Sequence, residues 1–384
     1  MPARPTIALM TYAIDNRPAK GTAVYARNLV ERLLKDAEYD YIVVHYEECD
    51  DPIYRMGARE IVMPRVPAWI PAKHFCRFLL FCWRYRKERF DIVHWFQPRL
   101  YPFFWLVPAK KIIVTAHGAG DITAPGAFPF SRRMFNFVIT HFNRRIDAII
   151  AVSEFGKREI IQYYRAQPER VHVIYNGGAE EYRHIPKADA RKVAQRYGVA
   201  GPFILDISRL SPHKNVGRLI EAYDLMRDQH PERTESLVIV GTPSTGSKEI
   251  YRLAAESAYT GDIQLLEYVE SQDLNALYSA AEVFAFPSLN EGFGLPVIEA
   301  FASGVPVITS DGTSLPEIAG GAALLVDPTS REALADALYR ALSDAHLRDS
   351  LVERGRLRAR DFSWENCAAQ TLALYRSALG HGVL

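Results

Sequence analysis

The chain has 384 residues, a formal net charge of +1 and 48% hydrophobic residues. That length suits two domains of ordinary size, each able to bury its own core. The near-zero charge excludes any global pull toward nucleic acid or an acidic partner, so affinity for an anion has to come from local cations.

Cys49, Cys76, Cys82 and Cys367 form no CxxC pair and show no zinc spacing. They read as reduced thiols of a cytosolic protein, and no metal cluster is visible. The N-terminus leads straight into a strand rather than a signal-peptide apolar region. No apolar run reaches spanning length.

In chain order, Thr6 to Tyr12 reads as a buried strand, followed by the loop Ala13 to Gly21 and a helix from Thr22 to Lys35. In the loop, Gly21 could close over a phosphate or make an ordinary turn. Asp15 and Asn16 are candidates for contact with a ligand. Strand-like runs recur at Tyr41 to His45, Ile92 to Trp95, Ile112 to Ala116, Ala148 to Val152 and Val171 to Tyr175. Strand and helix alternate, which predicts a parallel sheet covered on both faces.

Two regions of this half mix aromatic and basic residues. Pro64 to Arg89 carries Trp69, Phe75, Phe78, Phe81 and Trp83 among Lys73, Arg77, Arg84, Arg86, Lys87 and Arg89; Leu100 to Lys111 is the other. Such a mixture suits a membrane interface, and it equally suits a core edged by solvated charge. His117 ends the run Ile112 to Ala116 and precedes Gly118, which places it at a ligand edge rather than in the core. Asp121 is a further candidate at the same edge.

Asn176-Gly177-Gly178 closes the first series, and the polar stretch Glu180 to Arg196 contains Pro186. The domain boundary is expected near residue 185. A second series of strands follows at Phe203 to Ile207, Leu237 to Val240, Ile263 to Leu266, Val283 to Phe286, Val305 to Thr309 and Ala323 to Val326. Helices are expected at Val216 to Arg227, Lys248 to Ser257, Asp273 to Ala281 and Arg331 to Ser343. The chain is thus α/β, with two successive doubly wound domains.

Ligands of open α/β sheets bind beyond the carboxyl ends of the strands. Arg209 and Lys214 follow the first strand of the second series and are either solvated surface charges or a phosphate grip. Tyr268 and Val269 lie beyond the strand Ile263 to Leu266.

The stretch Phe286-Pro287-Ser288-Leu289-Asn290-Glu291-Gly292-Phe293-Gly294-Leu295-Pro296-Val297-Ile298-Glu299-Ala300 reads as a loop feeding a short helix. Pro296 suits the first helical position and Gly304 the position past the helix end. Gly292 and Gly294 let the backbone approach a ligand, and a helix N-terminus presents N–H groups to an anion. Glu291 and Glu299 would repel that anion, so hydroxyl groups are their better ligands. Phosphate flanked by hydroxyls describes a nucleotide-sugar. The plainer readings are a tight turn for the glycines and a dipole contact for Glu299. Glu317 reads as a helix-start carboxylate and is left out of the site.

This stretch, with seven residues between its two glutamates, resembles the signature segment of glycosyltransferase family 4. The resemblance covers nearly the whole second half and is looser in the first. It implies the GT-B fold, two Rossmann-like domains facing across a cleft, and transfer with retention. The first domain would span 1–185, completed by the terminal helix over 364–384, and the second 186–363. The resemblance further implies that Arg209, Lys214 and the backbone of Gly292, Phe293, Gly294 and Leu295 hold a diphosphate. Glu299 would bind the ribose, Glu291 and His117 would meet the donor sugar, and Tyr268 and Val269 would lie near the base. Relatives often follow the histidine with Asp and have two glycines in the first loop; Gly118 and the single Gly21 depart from that pattern.

The wording of the loops is similar to mannosyl- and related transferases of bacterial surface polysaccharides. That implies a GDP- or UDP-linked hexose, with mannose preferred, and a saccharide or lipid-linked acceptor, which Asp15, Asn16 and Asp121 could face. No cofactor or metal is expected. The expected location is the cytoplasm, with peripheral contact at the inner face of the membrane. The rival functions are a sugar-nucleotide epimerase and a catalytically silent binding scaffold. A nucleotide-dependent oxidoreductase is disfavoured because no strand leads into a complete G-x-G-x-x-G.

Overall fold

The computed structural model describes residues 4–15, 21–47, 50–70, 72–119 and 130–380. The chain divides into two compact units, Met1–Gly177 with Trp364–Leu384, and Gly178–Ser363.

The first unit is built on β1 (Thr6–Met10), β2 (Asp40–His45), β3 (Arg59–Val62), β4 (Phe90–Trp95), β5 (Ala109–Ala116), β6 (Ala148–Ala151) and β7 (Val171–Val173). They form one seven-stranded parallel sheet in the order β3-β2-β1-β4-β5-β6-β7. Side chains alternate across a strand, and β1 shows the result. Ala8 and Met10 join one core, Ile7 and Leu9 the other. Burial on both faces is why these strands read as unbroken apolar runs.

The helix Trp364–Ala378 packs into the second of these cores, where Trp364, Cys367, Leu374 and Tyr375 meet Tyr25 and Leu29. A Cβ on Gly177 would lie 2.2 Å from the backbone nitrogen of Trp364, so only glycine admits this return of the chain.

The second unit has β8 (Phe203–Ile207), β9 (Ser236–Val240), β10 (Ile263–Leu266), β11 (Val283–Phe286), β12 (Val307–Ser310) and β13 (Leu324–Val326). Their order is β10-β9-β8-β11-β12-β13, again all parallel. The strand order reverses between β8 and β11, and such a reversal opens a crevice at the carboxyl ends of the two strands.

Several expected bounds shift. The unit boundary lies at Gly177/Gly178 rather than near 185. The polar stretch after it is a helix, Lys187–Arg196, that buries only Ala190 and Ala194. Lys187 and Arg191 pair with Glu282, and Arg196 with Asp273, so its charges are structural rather than a linker's. The strand expected over Val305 to Thr309 begins at Val307, because the Val305 amide still closes the preceding helix on Ala300 O. Edge strand β3 was not legible, since only Ile61 in it is buried.

Candidate functional site

The loops after β8 and β11, which carry Lys214 and Glu291, meet at the β8/β11 reversal. After β8 the chain makes a short turn over Pro212–Lys214 and enters the helix Val216–Gln229 through Asn215, whose φ is 62°. Asn215 Nδ2 donates to Pro287 O (3.0 Å) and Pro328 O (2.7 Å). The Leu289 amide and the Ser288 hydroxyl both donate to His213 O, at 2.8 and 3.0 Å. These bonds lock the loop after β8 against the loop after β11.

Lys214 is thereby presented to Glu291, with Nζ 2.5 Å from Oε1 and both side chains mostly covered. The Lys214 ammonium also lies 4.9 Å from the centroid of the Phe286 ring. Arg209, on the same loop, is exposed, and its guanidinium has no hydrogen bond or ion pair among the described residues. Its charge helps to hold His213 below the ordinary imidazole range, after burial and Lys214.

The loop after β11 is held from beneath. Ser314 Oγ lies 2.9 Å from Glu291 O and 2.8 Å from Phe293 O. Gly294 has φ 115°, and a Cβ there would meet Leu315 Cδ2 at 2.8 Å. The left-handed conformation is what demands glycine here. The helix Leu295–Ser303 starts here with Pro296 in its first turn and no side-chain cap. Its positive end is therefore free of a capping side chain. Gly304 closes the helix in the left-handed region, φ 75°.

Glu299 lies one turn in. Its Oε2 accepts from Tyr278 OH at 2.9 Å, and Tyr182 is a second phenol partner. Burial pushes this carboxyl up to about 7 against the pull of the two phenols. Sequence reasoning missed Tyr278 and Tyr182, because single tyrosines in a helix and a loop carry no local signal.

Asp206 was also missed, although a charge inside the apolar run Phe203 to Ile207 is a visible irregularity. It is fully buried, and Ser208 Oγ donates to its Oδ1 at 2.6 Å. Burial raises it to about 7; the Ser208 hydrogen bond and Lys214 oppose that shift, and Glu291 adds to it. Tyr268 is 66% exposed and bonds Glu270, while Val269 is buried; both lie beyond the edge strand β10.

The first unit holds fewer of the expected groups in ligand-ready positions. His117 follows β5, half-buried, with Nε2 3.1 Å from Phe96 O and its ring edge-on to Tyr25 at 4.8 Å. Burial brings it down to about 4, so it is a neutral imidazole at pH 7. Glu159 Oε2 accepts from the Ala119 amide at 2.9 Å, and Tyr164 OH donates to Gly118 O at 3.3 Å. Both bonds fix the turn after His117. Asp15 takes the Tyr46 amide at 2.9 Å and Tyr54 OH at 3.2 Å, and lies 3.3 Å from His45 Nδ1. These bonds tie the loop to the end of β2 and to the turn at Tyr54. Gly21 is the first residue of the helix Gly21–Leu33. Asn16 and Asp121 lie outside the described residues.

Two doubly wound parallel sheets are the architecture of a glycosyltransferase of the GT-B type. The chain belongs to this family. The model described as "Glycosyltransferase Family 4" matches residues 19–178, and "Glycosyl transferases group 1" matches residues 191–358. The chain is 29% identical over 376 residues to O-antigen chain mannosyltransferase B of Escherichia coli, covering 94% of this chain and 96% of that one. It is 32% identical over 228 residues to the serotype-specific mannosyltransferase WbdA of Escherichia coli, covering 58% of this chain and 28% of that one. It superposes on the Anabaena protein HepE, solved in complex with UDP and glucose, with a TM-score of 0.76 at 19% identity, covering 98% of this chain and all of that one. No helix among the described residues is long and apolar enough to cross a membrane.

Proposed function

We propose that the chain moves a hexose, with mannose preferred, from a nucleoside-diphosphate sugar to a saccharide or lipid-linked saccharide in the synthesis of a cell-surface polysaccharide. The observation that carries this reading is the Lys214–Glu291 pair, with Glu291 in the loop that leads into the uncapped helix start at Gly294. The mannosyltransferase relatives support the sugar, and the UDP and glucose on HepE support a nucleotide-sugar donor.

In this reading the donor diphosphate draws the Lys214 ammonium from Glu291 and takes Arg209 as a second cation. The bond from the anomeric carbon to the phosphate oxygen breaks while the acceptor oxygen attacks the same face. The departing phosphate takes the acceptor's proton. Charge grows on that phosphate as the bond breaks, so fixed cations and helix amides favour the transition state over the ground state. They supply what a metal would otherwise supply, and we therefore expect activity without added metal. Glu299 accepts hydrogen bonds from the ribose hydroxyls, with Tyr278 and Tyr182 holding its carboxylate. Neutral His117 bonds a hydroxyl of the sugar.

Peripheral membrane contact belongs to the same proposal. In the helix Lys73–Arg84, Phe78, Phe81 and Cys82 are buried while Leu80 and Trp83 are exposed. Trp69, Phe103, Leu106 and Phe137 are exposed as well, with Arg86 over the Trp83 ring. Exposed aromatics beside arginines suit an anionic lipid surface.

A thermal-shift screen against GDP- and UDP-linked sugars tests the donor site. A raised melting midpoint that disappears in Lys214→Ala is expected, and no shift with any nucleotide-sugar would end the reading. Product analysis with and without acceptor separates transfer from epimerisation.

A further inference from the structure

Four polar side chains run in a row through the buried interior of the first unit. Tyr375 OH lies 2.6 Å from His94 Nδ1, His94 Nε2 lies 2.8 Å from Thr115 Oγ1, and Thr115 Oγ1 lies 3.1 Å from Tyr25 OH. All four residues are fully buried. Each comes from a different element: the helix Trp364–Ala378, β4, β5 and the helix Gly21–Leu33.

Burial brings His94 down to about 3, so its imidazole is neutral at pH 7. A neutral imidazole donates from one nitrogen and accepts at the other, so the hydroxyls on its two sides point in one sense along the row. Burial also raises both phenols well above their ordinary value, and they stay protonated. Polar atoms in a core cost stability unless each is bonded, and leucine or phenylalanine would fill the same space without that demand. What a satisfied row provides instead is one fixed arrangement of the groups around it.

The row reaches His117 by two routes. The Tyr25 ring stands edge-on to the His117 ring, with centroids 4.8 Å apart. The His94 ring packs at 4.6 Å against the ring of Phe96, whose carbonyl accepts from His117 Nε2 at 3.1 Å. A carbonyl only accepts, so Nε2 carries the proton of the neutral His117 ring and Nδ1 keeps a lone pair. Nδ1 has no partner among the described residues.

We propose that His94 is a positioning residue: through Thr115 and Tyr25 on one side and Phe96 on the other, it fixes the plane of the His117 ring and leaves Nδ1 as the acceptor for a sugar hydroxyl. Tyr375 brings the terminal helix into the same row. The proposal rests on the reading that His117 meets the donor sugar, and it adds the residues that orient it.

The test uses Thr115→Val, which keeps the shape of the side chain and removes its hydroxyl, Thr115→Ser, which keeps the hydroxyl, and Tyr375→Phe. Nitrogen-15 spectra of the full chain at pH 7, without any donor, read the His117 ring. The wild type should show one tautomer, protonated at Nε2. Thr115→Val and Tyr375→Phe should show a mixture of both tautomers, and Thr115→Ser should match the wild type. In a donor-turnover assay Thr115→Val should lower kcat/KM for the donor about tenfold and Tyr375→Phe about threefold, with Thr115→Ser within about twofold of the wild type. In a His117→Ala background Thr115→Val should cost less than about twofold further, because the residue it acts through is gone.

A changed spectrum together with a rate loss that vanishes in the His117→Ala background supports the proposal. An unchanged His117 spectrum in both hydroxyl-deleting variants overturns it. So does a rate loss that persists undiminished in the His117→Ala background, since that loss is general damage to the core and not a misplaced ring. A changed spectrum with turnover intact supports the row and ends the separate reading that His117 meets the sugar.

Discussion

The carboxyl ends of the two sheets treat polar groups in opposite ways. At β1 of the first unit they satisfy one another. Asp15 is bonded to Tyr46 and Tyr54. His45, fully buried, stands between Asp15 and Glu60; burial lowers its pKa, and the two carboxylates outweigh that and raise it. His94 is closed off by Tyr375 and Thr115. At β8 of the second unit the balance is left open. Arg209 is exposed, the helix at Gly294 has no side-chain cap, and Lys214 has Glu291 as its one ion-pair partner among the described residues. Saturated polar groups hold a loop in shape, whereas incompletely satisfied ones make a binding site. An aspartate beside a ligand edge is therefore weaker grounds for function than a cation without a permanent partner.

The sharpest way to break the comparison is Lys214→Ala. Loss of one fixed charge at the leaving group should lower kcat by about 100-fold or more, read in a donor-turnover assay. Loss of Asp15 contacts in Asp15→Asn should instead lower the denaturation midpoint, at about 1 kcal/mol, and leave the KM for donor within about twofold. A large rate loss in Asp15→Asn would show that the first unit is not internally satisfied.

The next effect is on stability against pH. Asp206 and Glu299 are both raised to about 7 in the folded chain. Unfolded carboxyls titrate near about 4, so above that pH the unfolded chain binds fewer protons than the folded one. Stability should then fall as pH rises from about 4 through about 7, by on the order of 2 kcal/mol for the buried Asp206. Melting curves of Asp206→Asn across this range should lose much of the slope. An unchanged slope would mean that Asp206 does not hold its proton.

Gly294→Ala sharpens the picture of the helix start. A side chain at φ 115°, with Leu315 Cδ2 at 2.8 Å, should cost about 1–3 kcal/mol in urea denaturation. Tyr268→Phe should do least. It removes an exposed hydroxyl bonded to Glu270, a change of under about 0.5 kcal/mol, with the donor KM within about twofold.

The amino-acid order alone determined the two-sheet plan, because parallel strands buried on both faces leave continuous apolar runs that cannot be mistaken for a surface. It also determined the Glu291 to Glu299 loop and the cations after β8, since proline, glycine and charge at fixed offsets have local meaning. Only the tertiary structure decided that Lys214 meets Glu291 across 77 positions of chain, that Tyr278 supports Glu299, and that Asp15 bonds Tyr46 and Tyr54. These are contacts between distant segments. The charge, burial and partners of a polar group belong to the packing around it, and no short window of sequence contains that packing.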